Sequence, residues 1–182
     1  MGEIEIRWAT IDDARGIAIV HVETWKAAYR GLVDDQLLES LTVDEREAGW
    51  SRRIASLAGH PSDSSSGTSH RLLVAEAGDR TIGWASFGAG RDEGMAHLGE
   101  LSGLYVHPEY WSKQVGHVLI TRVEKELLLA GWAEAFLWVL DGNDRAILFY
   151  EQHGWHADGT EKFVDTRGAH RLHEVRHRRR LR

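Results

Sequence analysis

A layered α/β (α+β) fold, built on a mixed and mostly antiparallel sheet, is what this sequence predicts. Three observations carry the prediction. Strand-like and helix-like periodicities alternate as strand, helix, helix, three strands, helix, strand, helix, two strands. Neighbouring apolar runs are joined by hairpin punctuation, so most strand pairs should be antiparallel. One central helix lies between two strands, the grammar of a parallel crossover. The chain has 182 residues, which suits one domain covering 1–182.

Ile4-Glu-Ile-Arg-Trp8 alternates apolar and polar and reads as the first strand. Thr10-Ile-Asp-Asp13 resembles a helix start, followed by Ile11, Ala14, Ala18, Val22, Trp25 and Tyr29 on one face, with Gly31 as the stop. A second helical stretch begins at Leu37-Leu38. Thr42-Val-Asp-Glu45 is a capping box ahead of Val43, Trp50, Ile54 and Leu57. The Pro/Ser/Gly-rich stretch 59–70 reads as a mobile loop.

Strands follow at Leu72–Ala75 and Thr81–Phe87, joined across Gly78-Asp79, and again at Leu98–Val106, where Pro108 ends the run. Val115, Leu119, Val123 and Leu127 line a helix closed by Gly131. Glu134–Leu140 reads as a buried strand, and Asn143 can cap a short helix through His153. Two last strands run into His177-Arg-Arg-Arg-Leu-Arg182, with 178–182 expected as a solvated basic tail.

Composition narrows the function classes. With no cysteine, disulfides, thiolate zinc sites and cysteine nucleophiles are excluded, and a cytoplasmic home fits. A net charge of −6 argues against a general nucleic-acid binder. No apolar run approaches the roughly 20 residues of a membrane-spanning helix, and the first residues lack the basic and apolar regions of a secretory signal. The 11 histidines form no three-ligand spacing: His153 and His156 straddle a helix end, and His173 and His177 stand apart along a strand. No metal is therefore expected.

The segment that carries chemistry is Glu100-Leu-Ser-Gly-Leu-Tyr-Val-His-Pro-Glu-Tyr-Trp-Ser-Lys-Gln-Val-Gly-His-Val-Leu119. A strand ends, a loop turns, and a helix begins near Gly116. Free N–H groups and the helix dipole at such a start favour a phosphate, and Lys113 adds charge. Taken with Asn143-Asp-Arg-Ala-Ile-Leu-Phe-Tyr-Glu-Gln-His-Gly-Trp155, this stretch resembles the GNAT superfamily of acyl-CoA-dependent N-acetyltransferases. The element order is similar along nearly the whole chain. The resemblance implies a splayed parallel strand pair in the sheet, helices on both faces, acetyl-CoA as cosubstrate and a small-molecule or peptide amine as acceptor.

The loop departs from the family's R/Q-x-x-G-x-G/A pattern, since Trp111 and Gln114 stand where an Arg or Gln and the first Gly would be. A positive φ at Gln114 would cost about 1–2 kcal/mol. By resemblance, Trp111, Ser112, Lys113, Gln114, Val115, Gly116 and His117 surround the pyrophosphate. Leu104, Tyr105 and Val106 offer a strand edge to pantetheine, with the N–H of Leu104 or Tyr105 as oxyanion donor. Glu100, eleven positions before Trp111, is then the base, and burial on its strand face suits it to that work, though an exposed strand glutamate paired with a neighbouring cation is the plainer alternative. Tyr150 is the acid for the departing thiolate, and Asn143 contacts the cofactor while capping its helix. Trp25 and Tyr29 wall the acceptor pocket or belong to the core. An acyl-CoA-binding sensor of the same fold is the rival to an enzyme. Many relatives form homodimers, which leaves a homodimer open.

Overall fold

The computed structural model describes residues 3–58, 70–165 and 171–182. Strand β1 (Ile4–Trp8) leads through a short 3-10 turn (Ile11–Asp13) into helix α1 (Ala14–Ala28). Helices α2 (Asp35–Ser40) and α3 (Val43–Ala58) follow, then strands β2 (Arg71–Ala77), β3 (Arg80–Ala89) and β4 (Gly99–Val106). Helix α4 (Val115–Leu129) crosses to β5 (Glu134–Leu140), and α5 (Asp144–Gln152) precedes β6 (His156–Asp165) and β7 (Arg171–Arg180). The loop expected at 59–70 lies outside the described residues except for His70.

The seven strands form one sheet in the order β1-β2-β3-β4-β5-β7-β6. Among the described strands only β4 and β5 pair in parallel, because α4 carries the chain back across the sheet between them. Side chains alternate between faces. Leu72, Val74 and Trp84 meet Ile17, Trp50 and Ile54 of α1 and α3 on one face. Leu73, Ala75, Ile82 and Leu137 meet Leu119, Val123 and Leu127 of α4 on the other. Helices thus cover both sides, as the resemblance implies.

Two details differ from the expectations. Ile11 is half exposed, because the first turn after Thr10 is a tight 3-10 turn that rotates it off the α1 face. Thr10 and Asp13 still close that turn reciprocally, with Thr10 N–H donating to Asp13 Oδ2 at 2.6 Å. The arginines at 178–180 are strand rather than a solvated tail. They pair with Phe136, Ala135 and Glu134 of β5. Arg178 and Arg180 reach Glu134 at 2.7 and 3.1 Å, and Arg179 reaches Glu124 at 2.8 Å. Acids on α4 and β5 neutralise the run, and Leu181 buries beyond it.

Candidate active site

The site begins where β4 and β5 part. They pair only at Gly99–Ala135, Glu100–Phe136 and Leu101–Leu137. The β3–β4 register slips by one between Ser86 and Phe87, which leaves Ser102 bulged. A bulge bends and twists its strand, so β4 continues beside β3 to Val106 while β5 continues beside β7. A cleft of about 920 Å³ fills the gap.

Backbone direction along β4 follows from one bond. His107 N–H donates to the Ile82 carbonyl at 2.9 Å. Because these groups alternate along a strand, Tyr105 also faces β3, whereas the amides of Leu104 and Val106 face the gap. Leu104, not Tyr105, therefore offers the free donor. Tyr105 instead places its ring on the cleft wall, stacked on Trp84 at 4.5 Å. The Val106 carbonyl accepts from Thr24 Oγ at 3.0 Å and from Trp111 Nε1 at 2.7 Å.

The start of α4 forms one arm of the cleft. Gln114 is its N-cap, at φ 67° and ψ −4°, and Ser112 has φ 60°. Among the described residues these two are the only non-glycines with positive φ, so backbone strain is concentrated in this loop. Val118 N–H makes the first helical bond, to the Gln114 carbonyl at 3.0 Å. The amides of Val115, Gly116 and His117 come before it and have no intrahelical acceptor. The retained Gly116 serves packing: a Cβ there would stand 3.1 Å from the Phe149 ring of α5.

Charge at this arm comes from a residue the sequence reading missed. Lys113 does not line the cleft, and its Nζ lies over the Tyr110 ring at 5.2 Å. Arg145 does line it, with its guanidinium 4.1 Å above the Trp111 ring. The signal was present: a cation in the first turn of α5 opposes the helix dipole and so asks for another purpose. His117 and His153 also meet here, at 3.0 Å between Nδ1 and Nε2. His153 Nδ1 faces the Phe149 carbonyl at 2.7 Å, so in the neutral pair His153 Nε2 accepts and His117 donates.

Tyr150 is buried on α5 and lines the cleft. Its hydroxyl makes no hydrogen bond among the described residues, and burial raises its pKa above that of an ordinary phenol, with Tyr105 nearby adding to the effect. Asn143 lines the same cavity while its Oδ1 accepts from Ala146 N–H at 3.3 Å.

The far end of the cleft lies between α1 and the last strands. Glu100 is 3% exposed, and Arg91 occupies both its oxygens. The Arg91 amide reaches Oε2 at 2.9 Å, Nη2 reaches Oε1 at 2.6 Å, and Nε lies about equally from both. Glu100 thus joins a feature of each alternative: it is buried, as its strand face predicts for a base, and its carboxylate is paired with a cation. Tyr29 lines this end, its pKa raised by burial and by neighbouring Tyr105. Trp25 does not, because it packs edge-on behind Tyr29 at 4.9 Å and beside His21 at 5.5 Å. Trp138, Lys162 and Glu174, from β5, β6 and β7, complete the wall. No motif marks those three in the sequence; only the sheet order brings them together.

Comparison with known proteins agrees with this architecture. Residues 35–155 match the model of the acetyltransferase (GNAT) family. The chain is 31% identical over 149 residues to an uncharacterized N-acetyltransferase, YuaI, of Bacillus subtilis, covering 81% of this chain and 78% of that protein. It is 29% identical to a spermidine N(1)-acetyltransferase of Thermoplasma acidophilum, over 87% of this chain and 91% of that one. The crystal structure of the PaiA N-acetyltransferase of Thermoplasma acidophilum in complex with coenzyme A superposes with a TM-score of 0.69 at 28% identity, over 94% of this chain and 98% of that one. With the family model spanning well over half of the chain, and the parted parallel pair in place, this protein belongs to the acetyltransferase (GNAT) family of N-acetyltransferases.

Proposed function

We propose that the protein moves an acetyl group from acetyl-CoA to a primary amine by direct attack in a ternary complex. The observation that carries this is the convergence of three things on one cleft: the gap-facing amide of Leu104, the amides at the start of α4 that lack an intrahelical acceptor, and the Tyr150 hydroxyl, which has no partner among the described residues. The coenzyme A complex of the Thermoplasma PaiA relative supports the choice of carrier, and the spermidine N(1)-acetyltransferase relative supports an aliphatic amine as acceptor.

The residues present fit the carrier. The arm between α4 and α5 is lined by Ser112, Gln114, Gly116, His117, Arg145 and His153, with no carboxylate among them. There the amides of Val115, Gly116 and His117 hold the diphosphate and Arg145 adds positive charge. Trp111, Ser112 and Gln114 shape the loop, and Asn143 fixes the start of α5 beside it. Lys113 contributes only long-range charge. The open edge of β4 at Leu104 and Val106 takes the pantetheine arm as a strand would.

At the reacting end, the Leu104 N–H donates to the carbonyl oxygen as it gains negative charge. Tyr150 gives its proton to the departing sulfur. Glu100 anchors Arg91 at the wall of the acceptor pocket, and Tyr29 and Tyr105 supply its aromatic side. With no cysteine in the chain, direct attack needs no acyl-enzyme.

The test is calorimetry with coenzyme A, followed by a panel of primary amines with acetyl-CoA and detection of free thiol. Binding with amine-dependent thiol release is expected. Binding without release for any amine would favour the sensor, and no binding at millimolar carrier would sink both.

A further inference from the structure

The cleft holds a second carboxylate, and its surroundings differ from those of Glu100. Glu174 sits on β7, opposite Leu140 of β5 and Lys162 of β6, and lines the acceptor end of the cleft. Its side chain is 24% exposed, and its ion contact is Lys162 Nζ at 3.7 Å, beyond hydrogen-bond length. Where Glu100 has both oxygens hydrogen-bonded by Arg91, Glu174 has, among the described residues, only the looser contact of the Lys162 ammonium. A carboxylate that is mostly buried and short of donors gains from an incoming N–H group.

The neighbourhood also shows what such a group looks like. The Lys162 ammonium lies between Asp92 Oδ1 at 3.5 Å and Glu174, 4.1 Å over the Trp138 ring. Trp138 Nε1 in turn fixes Asp92 at 2.8 Å. Two carboxylates and an indole face thus already receive one alkylammonium, supplied by the chain itself.

We infer that Glu174 receives the ammonium of the acceptor, a primary aliphatic amine, and takes its proton before attack. This rests on the transferase reading and deepens it. Glu174 accepts one proton from R–NH3+ and passes it to water at the cleft mouth. The neutral nitrogen forms the C–N bond with the thioester carbon. As the C–S bond breaks, the sulfur takes the Tyr150 proton, and the second proton leaving nitrogen restores Tyr150. The products are an amide, a thiol and one proton released to solvent.

Burial raises the pKa of Glu174, against the opposing pull of Lys162, and so brings it nearer that of an amine. The groups facing it are Lys162 from β6, Asp92 and Arg91 from the β3–β4 connection, Tyr29 from α1 and Tyr105 from β4. Leu140 and Trp138 of β5 add no charge.

The experiment compares wild type, Glu174→Gln and Glu174→Asp. Three readouts are taken: coenzyme A binding by calorimetry, spermidine binding to the coenzyme A-loaded protein, and kcat/KM for spermidine from pH 6 to 10. Glu174→Gln should keep carrier affinity within twofold, weaken spermidine binding, and lose about 100-fold in kcat/KM at pH 7. That loss should shrink toward pH 10, where the amine deprotonates unaided, and Glu174→Asp should restore part of it. A wild-type profile in Glu174→Gln, or a deficit constant with pH, would overturn the inference. If wild-type protein binds carrier but never turns over, the transferase reading fails by itself. Spermidine binding then still decides Glu174: loss in the Gln variant supports its role as amine receptor, and equal binding sinks it.

Discussion

The indole N–H of Trp111 donates at 2.7 Å to the Val106 carbonyl, the same oxygen that receives the Thr24 hydroxyl at 3.0 Å. One acceptor thus ties the loop before α4 to the end of β4 and the last turns of α1. Trp111 stands where the family pattern has an arginine or glutamine, so an indole bonded to the main chain has replaced a polar side chain. Trp111→Phe keeps a ring under Arg145 and removes this bond. The Val106 carbonyl retains Thr24, so the loss should be about 1 kcal/mol in stability. Loosening the loop by a similar energy should weaken coenzyme A binding about fivefold. Calorimetry checks this, and unchanged affinity would mean that the loop is held without the indole bond.

Gln114 carries its strain in the backbone. At φ 67° a side chain costs about 1–2 kcal/mol relative to glycine, while glycine itself loses about 0.5–1 kcal/mol through the unfolded chain. Gln114→Gly should therefore stabilise the protein by a few tenths to about 1 kcal/mol, and Gln114→Val should destabilise it. Thermal unfolding distinguishes the two. Carrier affinity should change little in the glycine variant, since the amides that face the diphosphate are unaltered.

The Arg91–Glu100 pair makes a prediction that separates base from anchor. Glu100→Gln leaves the acidic limb of kcat/KM in place if another group takes the proton. Arg91→Ala strands a buried carboxylate, which keeps the residue 91 amide as its hydrogen-bond donor, with His70 Nε2 3.9 Å away and whatever water enters from the cleft. Because Arg91 is itself half exposed, the destabilisation should be about 2 kcal/mol rather than the 3–5 of a fully enclosed pair. Urea unfolding measures the second effect and a pH–rate profile the first. Loss of the acidic limb in Glu100→Gln would return the base to Glu100.

How much of this was legible follows from where each signal resides. Val115, Leu119, Val123 and Leu127 recur on one helical face, so α4 and its start were readable from periodicity alone. The parting of β4 from β5 was not, because a bulge at Ser102 is a register slip between strands and leaves no mark on composition. Glu100 was found through the family resemblance, at the distance before the loop where similar proteins carry a glutamate. Its partner Arg91 was missed, since the pairing depends on the path of the chain between β3 and β4. Glu174 and Lys162 come from strands that carry no family motif and meet the cleft only through the β5-β7-β6 order. The arginine run was misread for a related reason: its partners Glu134 and Glu124 are far away in sequence.

Tyr150 is the sharpest test of the chemistry. Its side chain is buried against the cleft, its hydroxyl has no partner among the described residues, and its pKa is raised, so it stays protonated through the neutral range. Tyr150→Phe removes one oxygen and leaves the ring among its neighbours. The expected result is a fall in kcat of about 100-fold with coenzyme A affinity within twofold of wild type. In the wild-type protein, the raised pKa also means that kcat should show no loss from Tyr150 ionisation below about pH 10. A kcat unchanged in the phenylalanine variant would remove Tyr150 from the mechanism.

Acid sensitivity should trace to the aromatic cluster behind the site. His21 is enclosed by Trp25, Trp50, Trp84 and Tyr105, and burial, aided by Arg46, pushes its pKa down to about 3. Unfolded, it would titrate near 6.5. Between those values the unfolded chain binds one more proton, so the contribution of His21 is full above about pH 6.5 and is lost as pH falls toward 3. The slope is about 1.4 kcal/mol per pH unit. Burial lowers His70, His107 and His177 as well, and they act in the same direction. His21→Phe should cost about 1 kcal/mol at pH 7, because Trp50 Nε1 loses its acceptor. Between pH 7 and 4.5, however, the variant should lose about 2–3 kcal/mol less than wild type. Urea unfolding at the two pH values measures the difference, and equal losses in both proteins would assign the acid sensitivity to the other three histidines.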